Sequence, residues 1–273
     1  MASSEVLSKR VESGVAVVTL GSPSRIFFDP EMSDALLETM TALAGDEAVR
    51  AIVVTGGAPG YFVRHYSVAA LVSMGEKLKS SGQQWSEDAP YTPGSFASAM
   101  RLVEEMPKPV IAAISGTAMG GAFEFTLACD IRIAQQGDFQ IGLPEVNIGI
   151  LPGGGGTQRL PRVIGTAAAL MHILMGVTLS PLEAAQKGFV HEAVPGNALD
   201  RAKEIAARLA SHTQQSVRRI KRLIRSAVET PLDEGLQLER NLFMDLCGGD
   251  EAIARMRSYE NKRLTDPAQG LRI

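Results

Sequence analysis

An apolar run, a glycine turn and a helix-favouring segment follow one another at the centre of the chain. The run 109–114 is rich in β-branched residues and predicts a buried strand. The turn 115–122 contains Gly120 and Gly121, and residues 123–130 then favour a helix. This order leaves backbone N–H groups unpaired at the helix start. Such a group of donors can hold an anion, or the negative oxygen that develops on a reacting carbonyl.

Two carboxylates lie close to this turn in the sequence. Glu124 follows Gly121 by three residues, within one helical turn of the predicted donors, and Glu145 precedes the glycine run 153–156. A glutamate at a helix start is often only a surface charge that complements the helix dipole. Glu124 has apolar neighbours, however, and such surroundings perturb carboxyl pKa values. Glu145 alone, after Pro144, is also typical of a helix start.

Strands and helices alternate along the first part of the chain. Residues 15–20 and 51–55 are apolar and β-branched, as is the run 109–114, and Asp29 with Pro30 predicts a helix start between the first two. Continuous apolar strands joined by helices indicate a parallel sheet, and hence an α/β core. From Thr166 onward the strand signals stop. Helices are predicted there at residues 166–176, 181–187, 198–212, 214–229, 233–246 and 250–262.

Composition excludes several classes of protein. The chain has 273 residues, 45% hydrophobic and 21% charged, with a net charge of −3 that does not favour nucleic acid. Cys129 and Cys247 lie far apart without metal-ligand spacing, which predicts buried thiols in a reducing compartment and no metal site. Neither a signal peptide nor an apolar run of membrane-spanning length is recognisable. The expectation is a soluble, cytoplasmic protein that binds no membrane.

Three motifs resemble the signature of the enoyl-CoA hydratase/isomerase (crotonase) superfamily. They are residues 108–124, which contain Gly120, Gly121 and Glu124, residues 138–145, which end on Pro144-Glu145, and residues 149–160 with the glycine run. The similarity extends from residue 15 to about residue 263. The resemblance implies a ββα-spiral core, placed at residues 1–200, and a helical region, residues 201–273, that forms homotrimers or dimers of trimers.

The resemblance also implies the site. The backbone N–H groups of Gly121 and Tyr66 match an oxyanion hole for the thioester carbonyl of an acyl-coenzyme A, and Glu124 and Glu145 match the two catalytic glutamates. Coenzyme A is then part of the substrate, and no further cofactor is expected. Water addition to a 2-enoyl thioester needs a base on water and an acid at C2. Glu145 is assigned as proton donor and Glu124 as the residue that orients water, a division left open because coupled carboxyl groups titrate as a pair.

One loop departs from the superfamily pattern. Residues 62–68 read Phe-Val-Arg-His-Tyr-Ser-Val where most members have Ala-Gly-Ala-Asp. A backbone donor at Tyr66 tolerates this change, although histidine adopts glycine-like dihedral angles only at an energetic cost. Arg64 and His65 either contact a phosphate or polar group of the substrate or form an exposed basic pair. The Tyr66 ring either points inward, toward the substrate or the glutamates, which is the favoured direction, or points outward as a packing residue without a chemical role.

Further substrate-binding candidates are Arg25, Trp85 and Tyr91. Arg25 lies in a loop where the superfamily often places a basic residue near the coenzyme A phosphates, and the alternative is a solvated side chain. Trp85 and Tyr91 lie in residues 76–95, a polar and irregular stretch that is either a surface loop or a lid over the site.

Three hypotheses for the function follow. The first is a 2-enoyl-CoA hydratase, which both glutamates favour. The second is an isomerase, or a hydrolase or lyase of a β-dicarbonyl compound, which the altered loop favours. The third is a non-catalytic oligomer that serves binding, and the presence of Gly121, Glu124 and Glu145 together argues against it.

Overall fold

The computed structural model describes residues 6–82 and 84–265. The chain divides into two compact units, Met1–Leu209 and Ala210–Ile273. The sequence predicts a boundary after residue 200, whereas the units meet inside the helix Ala198–Ser211. In the described residues, no helix combines the length and the apolar character that a bilayer crossing needs.

The strands belong to the first unit. In chain order they are β1 Leu7–Glu12, β2 Val15–Leu20, β3 Ala51–Gly56, β4 Gly60–Tyr61, β5 Val110–Ile114, β6 Gly116–Met119, β7 Ile131–Gln135, β8 Ile141–Gly142, β9 Thr178–Leu179 and β10 Glu192–Val194.

Helices alternate with the strands in the first unit, and the described part of the second unit is helical. In chain order they are α1 Pro30–Gly45, α2 Val68–Ser81, α3 Ser95–Glu105, α4 Gly121–Ala128, α5 Gly156–Ile164, α6 Thr166–Met175, α7 Pro181–Gln186, α8 Ala198–Ser211, α9 Gln214–Ser226, α10 Leu232–Cys247 and α11 Asp250–Thr265, with a 3₁₀ turn at Glu145–Ile148.

Two sheets form the first unit. The larger has the order β1-β2-β3-β5-β7-β10, antiparallel between β1 and β2 and parallel elsewhere. The smaller has the order β4-β6-β8-β9. Every side chain of β5 is buried, as a parallel strand covered on both faces requires. This arrangement confirms the predicted α/β core.

The predicted helical C-terminal region is also confirmed. The second unit contains α9, α10 and α11 in its described part. Within this unit, the Arg219 guanidinium forms an ion pair with Asp245 and donates a hydrogen bond to the Leu242 carbonyl, which ties α9 to α10.

Three local predictions are wrong. Strand signals do not stop at residue 166, because the short strands β9 and β10 follow. Residues 76–81 continue helix α2 and are not irregular. The stretch predicted as a turn contains β6, which pairs with β4 so closely that a Cβ on Gly116 would lie 2.1 Å from the Gly60 carbonyl carbon. Strands of two to four residues are defined by distant partners, so local sequence carries little signal for them.

Candidate active site

The turn between β6 and α4 requires a glycine. Gly120 has φ 53° and ψ −132°, in the left-handed half of conformational space that side chains disfavour. A Cβ at this position would also lie 3.1 Å from Oε1 of Glu145. The turn therefore brings the start of α4 directly under the Glu145 carboxyl group.

The loop that contains Tyr66 runs between β6 and the segment before α1. The Met119 N–H donates to the Arg64 carbonyl oxygen at 2.9 Å, which joins the loop to β6. On the other side, the Phe28 N–H donates to the His65 carbonyl oxygen at 3.0 Å, and the Ser67 N–H donates to the Phe28 carbonyl oxygen at 2.7 Å. These bonds form a parallel bridge that uses the residues on either side of Tyr66 and leaves the Tyr66 N–H unused.

The backbone of Tyr66 lies close to Gly121 at the start of α4. A Cβ built on Gly121 would lie 3.0 Å from Cβ and 3.6 Å from N of Tyr66. Within residues 6–82 and 84–265, neither N–H donates to a protein acceptor. Two adjacent, acceptor-free backbone donors at a helix start are suited to a carbonyl oxygen that gains negative charge.

Glu124 lies in the first turn of α4 and is only 3% exposed. Its Oε1 accepts hydrogen bonds from the N–H groups of Gly154 and Gly156, at 2.8 and 2.7 Å. Burial raises the pKa of Glu124, while the two N–H donors and the charge of Arg159 oppose that rise. One carboxylate oxygen is thus anchored, and Oε2 is left for a partner such as water.

Glu145 begins the 3₁₀ turn after Pro144 and is 9% exposed. Burial and the charge of Glu124 raise its pKa from 4.5 to about 7. Its buried Oε2 has no hydrogen-bond partner among the residues that the structure describes. A buried carboxyl oxygen without a partner is costly, and such groups occur where a substrate supplies the missing contact.

The two carboxyl groups therefore have different environments in one site. Glu124 accepts two N–H bonds and faces the positive charge of Arg159, whereas Glu145 accepts from its own backbone N–H and is repelled by Glu124. Neighbouring carboxyl groups whose environments differ in this way act as a base and an acid at the same pH. The arrangement suits proton transfer on both sides of a reacting bond.

The raised pKa of Glu145 makes the stability of the fold depend on pH. Because burial disfavours the ionised form, the native state is destabilised relative to the unfolded chain as pH rises from 4.5 to about 7. We expect Glu145→Gln to match wild type in Tm below pH 4.5 and to exceed it by at least about 3 °C above pH 7. Thermal unfolding at both pH values measures this difference, with the exposed Glu38→Gln in α1 as control. A difference that does not change with pH contradicts it.

Aromatic side chains close one side of the site. The Phe96 ring of α3 lies 5.1 Å from the Phe28 ring and 5.5 Å from the Tyr66 ring, between centroids. Its Cε1 lies 3.1 Å from the point that a Cβ on Gly154 would occupy, and Oε2 of Glu124 lies 2.6 Å from the same point. Phe96 therefore borders the unanchored oxygen of Glu124, and no sequence motif indicates this.

Contacts with α3 and α1 hold the Tyr66 ring. It packs edge-on against Phe96, and its hydroxyl interacts with Ser33 of α1. Burial raises the pKa of this hydroxyl. The hydroxyl is thus engaged on the α1 side and does not face the glutamates, because Ser33 offers a polar partner that the sequence pattern does not reveal.

Arg25 borders a separate pocket of about 350 Å³ that is lined by Ser24, Arg25, Phe27, Asp29 and Ser67. Its guanidinium bonds both oxygens of Asp29, at 2.9 and 2.8 Å, and Oε2 of Glu31 at 2.6 Å. Its Nε is buried and has no hydrogen-bond partner within residues 6–82 and 84–265. Any anion bound at this pocket must compete with the carboxylates of Asp29 and Glu31 for the positive charge of Arg25.

The other predicted binding residues lie at the surface or the rim. The His65 ring lies 4.7 Å from the Phe27 ring, and its Nδ1 is 2.7 Å from the Tyr66 carbonyl oxygen. The Arg64 side chain is exposed. Trp85 and Tyr91 are 62% and 77% exposed, on the segment between α2 and α3. Over the described residues, no group of three or more His, Cys, Asp or Glu side chains has a metal-binding arrangement.

Fold and site together define a class: an α/β protein in which backbone N–H groups at a helix start lie close to two buried glutamates. The enoyl-CoA hydratase/isomerase family model matches residues 10–267. A probable enoyl-CoA hydratase of Bacillus subtilis is 33% identical, over 94% of this chain and 96% of that protein. A crotonyl-CoA hydratase of Syntrophomonas wolfei is 33% identical, over 86% and 87%. An enoyl-CoA hydratase structure from Bacillus anthracis has a TM-score of 0.84 at 28% identity, covering 94% and 97%.

The chain belongs to the enoyl-CoA hydratase/isomerase family, and its fold is the crotonase fold. Members of this family act on coenzyme A thioesters.

Proposed function

We propose that this protein is an enoyl-CoA hydratase, which adds water across the double bond of a 2-enoyl-CoA thioester. The observation that carries the proposal is the pairing of two acceptor-free N–H groups, from Tyr66 and Gly121, with two buried glutamates of different environment. The relatives named as hydratases support the same reaction.

The N–H groups of Tyr66 and Gly121 would bind the thioester oxygen. Attack of water on C3 moves electrons toward that oxygen and forms an enolate. Preorganised donors stabilise this charge as it develops, and loss of one such donor typically costs about 3 kcal/mol.

The two glutamates would move the protons. Oε2 of Glu124 accepts a proton from water as the C3–O bond forms, while its anchored Oε1 holds the carboxylate in place. Glu145, protonated in an appreciable fraction near neutral pH, donates its proton to C2 as the enolate collapses. The product is a 3-hydroxyacyl thioester, and proton transfer from Glu124 to Glu145 through solvent restores both groups.

The pocket at Arg25 would receive a polar part of coenzyme A. It is next to the Tyr66 loop, because Ser67 and Phe27 line it. The predicted homotrimer or dimer of trimers stays a proposal, and exposed apolar side chains of α10 support it: Leu232, Leu236, Phe243 and Met244.

Absorbance with crotonyl-CoA tests the proposed reaction. Hydration removes the conjugated enoyl band, so the purified protein is expected to bleach it and to yield 3-hydroxybutyryl-CoA on chromatography. A non-catalytic binding protein leaves the band unchanged, and thioester hydrolysis releases free coenzyme A. Either outcome contradicts the proposal.

Phe96 is expected to limit the length of the acyl group. Its ring closes the space beside Glu124, so Phe96→Ala opens room beyond C3. We expect the ratio of kcat/KM for a ten-carbon enoyl thioester over crotonyl-CoA to rise by about tenfold or more. Phe96→Leu, which keeps most of the bulk, is the matched control and should change the ratio little. An unchanged ratio in a folded Phe96→Ala protein shows that the ring only packs the core.

A further inference from the structure

Arg159 of α5 connects three parts of the site through one side chain. Its Nε and Nη2 donate to the two oxygens of Glu104 on α3, at 2.7 and 2.8 Å. Its Nη1 donates to the Gly154 carbonyl oxygen at 2.7 Å. Arg159 and Glu104 are largely buried, with side chains 19% and 25% exposed. A planar guanidinium held by a bidentate carboxylate has little freedom, so it fixes whatever its third donor binds.

The third donor binds the loop that anchors Glu124. Gly154 gives its carbonyl oxygen to Arg159 and its N–H to Oε1 of Glu124. The loop also needs glycine to admit the guanidinium, because a Cβ on Gly155, where φ is 98°, would lie 2.3 Å from Nη1 of Arg159. The backbone of the glycine run therefore leaves the space that the Arg159 guanidinium occupies.

The positive charge of Arg159 also acts on the Glu124 carboxyl group. The charged groups that face Glu124 are Glu145 on the 3₁₀ turn and Arg159 on α5, and Glu104 on α3 faces Arg159 in turn. Arg159 lowers the pKa of Glu124, against the effect of burial. Because a base must be ionised to accept a proton from water, both the position and the charge of Glu124 depend on Arg159.

We infer that Arg159, held by Glu104, is a positioning residue that keeps the Glu124 carboxylate anchored and ionised for its work on water. The inference rests on the proposed function for the chemistry that Glu124 performs. The effect of Arg159 on the ionisation of the Glu124 carboxyl group does not depend on the proposed function, because this ionisation is measurable without substrate.

Arg159→Met removes the charge and the hydrogen bonds to Glu104 and Gly154. We expect the low-pH limb of the kcat profile to move upward by about one pH unit, and kcat at neutral pH to fall by about tenfold. Arg159→Lys keeps the charge without the bidentate pair, so it should restore the pH limb while kcat stays low. Arg162→Met, an exposed arginine on the same helix, is the matched control and should leave the profile unchanged.

The Glu124 titration is also followed directly, by ¹³C NMR of carboxyl-labelled glutamate, with Glu124→Gln for assignment. The expected result is a higher Glu124 titration midpoint in Arg159→Met than in wild type. An unchanged midpoint in folded Arg159→Met overturns the inference, whatever its effect on Tm. If Arg159→Met does not fold, Glu104→Gln is used instead. We then expect a smaller upward shift of the Glu124 titration midpoint, and an unchanged midpoint overturns the inference. Absence of hydratase activity in wild type defeats the proposed function but leaves this midpoint measurable.

Discussion

Replacing Glu145 by glutamine is expected to lower kcat for hydration by roughly 10²–10⁴-fold, the usual contribution of a general acid or base. Glutamine keeps the shape of the side chain but has no proton to give to C2. Glu124→Gln should cause a loss of similar size, because its amide cannot take a proton from water. Steady-state kinetics with crotonyl-CoA measures both, and the exposed Glu105→Gln on α3 serves as control.

The pH profile distinguishes the two roles. The acid must be protonated, so activity should fall as pH rises through about 7, the pKa of Glu145. The base must be ionised, so activity should fall as pH decreases through the raised pKa of Glu124. Residual activity of Glu145→Gln should lack the high-pH limb, and that of Glu124→Gln should lack the low-pH limb. The reverse pattern assigns the roles the other way round, and near-normal turnover removes that glutamate from the mechanism.

Replacing Tyr66 by proline is expected to lower kcat/KM by roughly 10²–10³-fold, because it deletes one of the two donors to the thioester oxygen. The Tyr66 N–H makes no hydrogen bond to the described residues, so its loss breaks no bond within that part of the fold. Kinetics with several 2-enoyl thioesters should show the same loss for each, since every one carries the carbonyl group.

Two variants separate the backbone donor from the ring. Tyr66→Phe removes only the hydroxyl that interacts with Ser33, and Tyr66→Ala removes the packing against Phe96. Both keep the N–H and should retain activity within about tenfold of wild type. Circular dichroism confirms the fold of each variant. A well-folded Tyr66→Pro protein with wild-type kinetics excludes this N–H from the oxyanion hole.

The central strand, the helix start and the place of Glu124 beside it were predictable because their signals are local. Residues 109–114 are apolar and β-branched, which specifies a buried strand whatever its neighbours. Glu124 follows the glycine turn by one helical turn, so its closeness to the N–H donors of α4 needs no tertiary information. The pairing of Glu124 with Glu145 and the donor at Tyr66 came from resemblance to a family, not from spacing.

The supporting contacts were not predictable from sequence. Arg159 and Glu104 are 55 residues apart, and Gly156 donates to Glu124 across 32 residues, with no repeated spacing to indicate either contact. Phe96 lies close to Gly154 through tertiary packing, in which α3 contacts α4. The direction of the Tyr66 ring depended on Ser33, one of several polar groups on α1 that the sequence does not distinguish.

The fate of solvent atoms in the product is the most direct test of water addition by the glutamate pair. Crotonyl-CoA is incubated with the enzyme in H₂¹⁸O and in D₂O, and the thioester product is analysed by mass spectrometry and NMR. The predicted product is 3-hydroxybutyryl-CoA with one ¹⁸O on C3 and one deuterium on C2, and both labels disappear with Glu145→Gln. A 3-enoyl thioester that carries deuterium on C2 and no ¹⁸O, or ¹⁸O in a free carboxylic acid, would contradict the account.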